Sequence, residues 1–374
     1  MLSFIHTADV HLDAPLASLG DLYEVRQHDF RLTMQTIRDV VKDKQVDFWL
    51  IAGDLIEYHG GTRATALFLN ELFTSVDPIP VLIAPGNHDP WMEGSFYQTL
   101  DWPPNVFFFT NEWGAYEFPD KQTVIYGWGF PHAHVADSPL ESFPGKLEGY
   151  HHHLMVLHGT VLTQEDWGHQ PYAPLPLSRL EEVGMDYIAL GHIHKAHQFI
   201  HSSRSVPIAA YPGSPEGLTS KETGERHVIY GQIEPQKGLQ LSTIPVSTRQ
   251  IQRVTVTLDG VETMEGLISV IHLALAHYNK NHLLYVTLEG QRASHLTPSL
   301  ELLQTQFRDY YYLQFQDQTY PDIDVERLIQ DNGLIGKWLV KLREARDQAA
   351  TPEEQDVAQL ALQEAIKRIG GSLQ

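Results

Sequence analysis

Five short apolar runs, Phe4–Ala8, Phe48–Ala52, Val81–Ala84, Leu154–Leu157 and Tyr187–Leu190, are each followed within three residues by a side chain with an oxygen or imidazole donor. Each run has the length of a strand. They lead directly into Asp9-Val10-His11, Gly53-Asp54, Pro85-Gly86-Asn87-His88-Asp89, His158-Gly159 and Gly191-His192-Ile193-His194. Between the first two runs, Val25–Lys44 places Phe30, Met34, Ile37, Val40 and Val41 at helical spacing. A second helix is expected at Thr62–Ser75, with Leu67, Leu69, Leu72 and Phe73. Strand–helix–strand order calls for a largely buried, parallel or mixed sheet. In open α/β sheets, ligands bind beyond the carboxyl ends of the strands. If the five strands run parallel, their ends share one crevice.

The donors there are Asp9, His11, Asp54, Asn87, His158, His192 and His194, with His88 beside them. Imidazole and carboxylate together suit Mn, Fe, Zn or Ni. The chain has no cysteine, which excludes a thiolate zinc site, a disulfide scaffold and thiol catalysis. Seven donors are too many for one tetrahedral ion and suit two ions sharing a carboxylate. Such pairs are typical of phosphoester hydrolysis. In extended backbone His192 and His194 would point to opposite sides, but on a loop they can serve two neighbouring ions. The adjacent glycines permit close backbone approach. A lone Asp-x-His or Gly-Asp carries little weight; five such motifs in order, all at strand ends, carry much more.

Beyond residue 100 strands dominate: Val106–Thr110, Ala115–Phe118, Thr123–Gly127, Gln198–His201, Ile208–Tyr211, His227–Ile233 and Leu239–Pro245. The mixture predicts two stacked sheets with helices outside. Near residue 248 the pattern changes to βαβαβ: strands Arg253–Leu258, Leu283–Leu288 and Tyr310–Gln316, with helices Val261–Tyr278 and Leu296–Arg308 between them. Past Pro321 the signals are helical. Ile323, Val325, Leu328, Ile329, Leu334, Ile335, Trp338, Leu339 and Leu342 form an apolar stretch with little obvious core of its own. Thr351-Pro352-Glu353-Glu354 combines an N-cap, a first-position proline and a capping-box glutamate. The helix it opens carries Val357, Ala361, Leu362, Ala365, Ile366 and Ile369 on one side and is expected to stop at Gly370-Gly371. The expected division is 1–248, 249–320 and 321–374. No signal peptide pattern follows Met1, and no apolar run approaches the roughly 20 residues that span a bilayer. These features suggest a cytoplasmic location and no membrane partner.

As a set, Asp9-x-His11, Gly53-Asp54, Gly86-Asn87-His88-Asp89, His158-Gly159 and Gly191-His192-x-His194 resemble the signature of the calcineurin-like metallophosphoesterases over residues 1–245. The opening Phe4–Leu12 and the order of nuclease domain, small cap and helical tail resemble the SbcD-type DNA repair exonucleases. Asp13-Ala14-Pro15-Leu16 and Ala210–Gly217 resemble their YhaO-like branch. The resemblance implies an α/β (α+β) fold: a four-layer αββα metallophosphoesterase sandwich with a small βαβαβ capping domain and a helical C-terminal tail. It also implies two divalent metal ions, Mn by family expectation. Asp9, His11 and His194 would hold the first and Asn87, His158 and His192 the second, with Asp54 between them. His88 would be catalytic, assisting the leaving oxygen. Three residues after Asp54, where family members carry Asp or His, this chain has Glu57, followed by Tyr58 and His59. Glu57 is the second catalytic candidate, orienting His88; a solvated loop carboxylate is the plainer alternative.

Other residues invite plainer readings. His6 is expected to be buried behind the ligands. His132, His134, His197 and His201 are expected to shape the crevice or lie on the surface. Lys195, Arg204, Lys221 and Arg226 could meet phosphates, although isolated cations are usually solvated. His151-His152-His153 reads as a polar lead into a strand.

Three functions compete. The first is an SbcD-type DNA exo/endonuclease, binding DNA and working with an SMC-like ATPase through residues 321–374, with a homodimer as its expected assembly. The chain has no Gly-x-x-x-x-Gly-Lys-[Ser/Thr] motif, so the ATPase would be a separate protein. The second is a phosphodiesterase or phosphatase for nucleotides or other small phosphoesters. The third is a partner-recruiting scaffold with a vestigial metal site, against which the complete donor set argues. Lys and Arg number 26 against 47 Asp and Glu, so 26 − 47 gives −21. That charge opposes sequence-blind binding to phosphate backbones and favours the second function unless the crevice is locally basic.

Overall fold

The computed structural model describes residues 1–374 except 17–21, 58–60, 164–166, 168–169, 323–324, 331–332 and 373–374; the side chains of 367 and 370–372 are also left undescribed. Tyr58, His59 and Ile323 lie outside the described residues. The chain falls into two compact units, Met1–Gln250 and Ile251–Gln374.

The first unit contains two six-stranded mixed sheets. In one, β1 (Leu2–Thr7), β2 (Phe48–Ile51), β3 (Val81–Ile83) and β4 (Val106–Phe108) run parallel. Antiparallel β13 (His227–Glu234) and β14 (Gly238–Pro245) extend its β1 edge. In the other, β6 (Thr123–Gly127), β7 (His152–His158), β10 (Tyr187–Gly191) and β12 (Pro207–Tyr211) run parallel. Antiparallel β5 (Gly114–Phe118) and β11 (His197–Ile200) close its two edges. Short β8 (Val161–Leu162) and β9 (Leu175–Pro176) pair beside them.

Strand alternation builds the layers. Leu2 and Phe4 of β1, and Phe48 and Leu50 of β2, meet Leu154 and Val156 of β7 and Tyr187 and Ala189 of β10 in one buried core between the sheets. The opposite faces of β7 and β10, through Met155, Leu157, Ile188 and Leu190, enter a second core with Leu180 of α3 (Leu177–Glu182). α1 (Tyr23–Lys44) buries Phe30, Met34, Ile37 and Val41 on one stripe, and α2 (Arg63–Thr74) buries Ala66, Leu69, Leu72 and Phe73. α2 is N-capped by Thr62, whose side chain accepts from the Thr65 amide. The layered α/β fold agrees with the sequence expectation. The helix α3 was not foreseen, because six residues are too short to show a periodicity.

The second unit opens with β15 (Ile251–Thr257), β16 (Leu283–Glu289) and β18 (Tyr312–Asp317), all parallel. α4 (Met264–Leu275) and α5 (Leu300–Gln306) are the crossovers, each N-capped by a hydroxyl, Thr263 and Ser299. A two-residue pair, β17 (Gln291–Arg292) and β19 (Tyr320–Pro321), follows the same parallel course. The same unit holds α6 (Val325–Gln330), α7 (Leu334–Asp347) and α8 (Pro352–Ser372). These helices share a small core: Leu339, Leu362, Ala365 and Ile369 are buried, with Val325, Leu328, Ile329, Leu342 and Ile366 against them. The tail therefore has more core of its own than its sequence suggested. Val357, expected on the apolar face of α8, is exposed. The capping box forms: the Thr351 hydroxyl accepts from the Glu354 amide, and Glu354 accepts from the Thr351 amide. The expected stop at Gly370-Gly371 does not occur, since α8 runs to Ser372. Glycine weakens a helix by only about 1 kcal/mol relative to alanine.

One buried polar network secures the end of the first unit. Arg26 of α1, fully buried, donates to Asp29 (2.9 Å), Glu216 (2.8 Å) and the Gly217 carbonyl (2.8 Å). Glu216 also accepts from Thr33 (2.7 Å) and the Thr248 amide (2.7 Å), and Arg249 donates to Asp29 (2.9 Å). Removing one partner of a buried ion pair costs about 3–5 kcal/mol, whereas replacing both with apolar groups is often near neutral. Glu216→Ala is therefore expected to lower unfolding free energy by about 3–5 kcal/mol in urea titrations, and Arg26→Met with Glu216→Leu to recover most of it.

Candidate metal centre

The parallel strands of both sheets deliver their carboxyl ends to one place. β1, β2 and β3 bring Asp9, Asp54 and Asn87; β7 and β10 bring His158 and His192. Donor atoms of Asp9, His11 and His194 lie within 4.8 Å of one another, as do those of Asp54, His158 and His192. Asn87 joins the second group, its Oδ1 2.9 Å from His158 Nε2 and 3.0 Å from His192 Nδ1. His11 Nε2 lies 3.6 Å from Asp54 Oδ2, so Asp54 faces both groups. The structure thus brings together all seven donors that the sequence singled out, with the two-apart histidines on different sides.

The backbone is bent to achieve this. Asp9 (φ 53°), His11 (φ 52°), Asp54 (φ 51°) and His192 (φ 108°) all have left-handed backbone. Such residues cluster at functional sites and cost of order 1–3 kcal/mol each. Two glycines are required by space. A Cβ on Gly86 would lie 2.3 Å from Asp54 Oδ1, and one on Gly191 would lie 1.7 Å from the Ala52 carbonyl oxygen. Buried Asp89 fixes the Asp54 loop by accepting from the amides of Asp54, Leu55, Ile56 and Gly86 and from the Tyr97 hydroxyl.

The donors fit a cation. His158 Nδ1 donates to the Ala52 carbonyl (2.9 Å), so its Nε2 faces the Asn87 and Asp54 oxygens at 2.9 and 3.3 Å. Those are acceptors, and the gap needs a proton or a metal. In the protein alone the proton serves: burial disfavours the imidazolium, but Asp54 outweighs burial and lifts His158 to about 9. The Nε2 atoms of His11 and His194 face each other at 3.1 Å, while their Nδ1 atoms point to Glu57 (2.8 Å) and Glu222 (3.4 Å). Two imidazoles held this way aim lone pairs at a common point. Asp9 Oδ1 accepts from the His192 amide (2.8 Å), but buried Asp9 Oδ2 has no hydrogen-bond partner. Burial pushes the Asp9 carboxyl up, so a nearby positive charge favours its ionised form.

At the edge of the donors, Glu57 forks between two histidines. Its Oε1 is 2.8 Å from His11 Nδ1, and its Oε2 is 3.0 Å from His88 Nδ1. Burial raises the Glu57 carboxyl, but the two imidazoles outweigh it and hold the group at about 2. The bond to Glu57 raises His88 to about 9 against the opposing effect of burial. The His88 ring is 45% exposed and stays accessible from the adjoining cleft, while its amide donates to Asp54 Oδ1 (2.8 Å).

His6 is buried between the sheets, its ring 2.8 Å from the Tyr187 hydroxyl and 3.1 Å from the Leu190 carbonyl; burial depresses it to about 3. His134 packs edge-on against Tyr172, whose ring lies 5.3 Å from that of His192. His197 touches Trp167, while His132 is exposed and His201 half-buried. Lys195, Lys221 and Arg226 line the cleft; Arg204 is exposed and is not among its lining residues. Sequence reading missed the supports. Asp89 had a signal, as the last residue of Gly-Asn-His-Asp. Glu222 had none: nothing marked it among 47 acidic residues, although metal-binding histidines commonly give their second nitrogen to a carboxylate.

The family model for calcineurin-like phosphoesterases matches residues 2–196, which contain all seven donors. The chain belongs to that family. It is also similar to the uncharacterized metallophosphoesterase YhaO of Bacillus subtilis, 32% identical over 248 residues, covering 62% of this chain and 59% of the relative. The DNA double-strand break repair protein Mre11 of Methanosarcina acetivorans is 26% identical over 277 residues, covering 70% and 41% respectively. The Mre11 protein of Methanopyrus kandleri is 25% identical over 246 residues, covering 58% and 49%. The matches thus span about two-fifths to three-fifths of these relatives. Among the described residues, no helix is long and apolar enough to cross a membrane.

In the metal-free protein, His88 is expected to titrate near 9, and Glu57→Gln to bring it down towards 6.5. Imidazole chemical shifts followed through pH, assigned with His88→Gln, check this. A His88 titration unmoved by the substitution would show that Glu57 does not hold the proton there.

Proposed function

We propose that this chain is a dinuclear metal-dependent phosphodiester hydrolase, and most specifically a DNA exo/endonuclease of the SbcD type. The observation that carries the reading is the convergence of seven metal-type donors beside an exposed imidazole whose other nitrogen is held by a carboxylate. Asp9, His11 and His194 would hold one divalent ion and Asn87, His158 and His192 the other, with Asp54 between them. Divalent ions, when bound, supply Lewis acidity to the phosphoryl oxygens and a water of lowered pKa. Mn is the proposed metal, with Fe, Zn and Ni compatible with the donors.

The chain's own residues do the rest. Glu57 keeps His88 protonated through Nδ1, so that Nε2–H can give its proton to the departing oxygen. Asp89 holds the Asp54 loop in register. Glu222 and the Ala52 carbonyl fix the rings of His194 and His158, leaving Nε2 of each for binding. The similarity to Mre11 proteins supports a nucleic-acid substrate. Segment 321–374 is proposed to bind an SMC-like ATPase; the second unit's βαβαβ part is proposed as a cap. A phosphodiesterase for nucleotides or other small esters is the second reading, favoured by the net charge of −21.

The test is Mn-dependent hydrolysis of linear duplex DNA, single-stranded DNA, a small phosphodiester and a phosphomonoester. DNA cleavage reduced about 10²- to 10⁴-fold by His88→Ala is expected, the usual contribution of a positioned general acid. Turnover of the small diester alone would move the function to the second reading. Independently, Asn87→Ala is expected to lower the metal content from two ions towards one by elemental analysis. Two ions at full occupancy in that variant would overturn the ligand assignment.

A further inference from the structure

The cleft beside the donors has a volume of about 770 Å³, within the roughly 300–1,000 Å³ typical of small-molecule sites. Its walls differ in character. Asp54, His88, His192 and His194 belong to the proposed chemistry. Trp167, Lys195 and Lys221 do not.

Trp167 is half-buried and held in place. Its indole N–H donates to the Val161 carbonyl (3.0 Å). Its ring meets Tyr211 (5.9 Å, 74°) and His197 (5.5 Å, 90°) edge to face. Lys195 directly follows His194, and Lys221 directly precedes Glu222, which supports His194; both lysines are exposed in the cleft. Arg226 lines the cleft too, but it donates to Glu222 (3.0 Å) and Ser214 (2.8 Å) and so serves that support. A bare phosphate would need only the cations. A held aromatic ring and two exposed ammonium groups on the walls of one cleft match a base joined to phosphate.

We propose that Trp167, Lys195 and Lys221 form a nucleoside-phosphate subsite, in which an unpaired base stacks on the indole and the ammonium groups take the phosphates. The inference rests on the phosphoesterase reading and narrows its substrate to base-bearing phosphodiesters. Bases inside a duplex present no free face, so the occupant is a nucleotide or an unpaired strand end.

The test measures equilibrium binding of AMP and of ribose 5-phosphate to the Mn-loaded full chain by calorimetry. Trp167→Ala is expected to weaken AMP binding about 5- to 150-fold, the range for loss of one stacked base, and to leave ribose 5-phosphate unchanged. Trp167→Leu repeats the test with an apolar side chain that cannot stack, and Trp167→Phe should retain most of the AMP affinity. Lys195→Ala and Lys221→Ala should weaken both ligands. Equal losses for both ligands on removing Trp167, no loss for either, or no preference of the native protein for AMP over ribose 5-phosphate would overturn the subsite. Trp167-dependent AMP binding in a protein that hydrolyses no phosphoester would remove the catalytic reading and keep the subsite. Diester hydrolysis with AMP binding indifferent to Trp167 would do the reverse. Within a positive result, displacement of AMP by a short single-stranded oligonucleotide supports a strand end as the occupant, and failure to displace it supports the free nucleotide.

Discussion

The hydrogen bond from His158 Nδ1 to the Ala52 carbonyl joins the two sheets at the point where their strands end. His158 closes β7 and Ala52 follows β2, so the bond crosses the core between layers. Gly191, ending β10, comes so close to the same carbonyl that no side chain fits there. One backbone oxygen therefore sets the spacing of the sheet edges and the direction of a donor nitrogen. The apolar core behind it, from Phe4 and Phe48 to Val156 and Tyr187, makes that spacing rigid, since close-packed interiors resist small displacements.

Rigidity at this edge has an electrostatic cost that the fold sustains. Two imidazole nitrogens face each other 3.1 Å apart, and buried Asp9 Oδ2 has no hydrogen-bond partner. Left-handed backbone at Asp9, His11, Asp54 and His192 adds local strain. Supports behind the site hold the arrangement: Asp89 gathers four amides, and Glu57 and Glu222 each hold a ring from the far side. A fold that maintains such an arrangement suits a cation, because its donors meet the charge without reorganisation.

The sequence made this centre legible because each donor sits within four residues after an apolar run. A strand ends where its apolar run ends, so the position of Asp9, Asp54 or His158 follows from composition along a few residues. The layers were legible from continuous apolar runs such as Leu154–Leu157, which strands buried on both faces require. What stayed hidden was set by distance in sequence. Glu222 reaches His194 across 28 residues, and Glu216 reaches Arg26 across 190, from loops whose course no local pattern gives. The tail misled for a related reason. Its apolar residues looked unpartnered because their partners, Leu362 and Ile369, lie on a different helix.

Glu57 shows how one substitution in a motif can change what a site couples. Its two oxygens reach two different rings, His11 among the metal-type donors and His88 at the cleft. A shorter carboxylate would have less reach across that gap. With glutamate, the ring among the clustered donors and the ring at the cleft are fixed by one group. Any shift of the His11 ring is thus passed through Glu57 to the His88 ring. The two rings are linked through a single side chain, itself carried on the loop that Asp89 holds. The strength of that linkage depends on how firmly the Asp54 loop is anchored, and so returns to the edge where the two sheets meet.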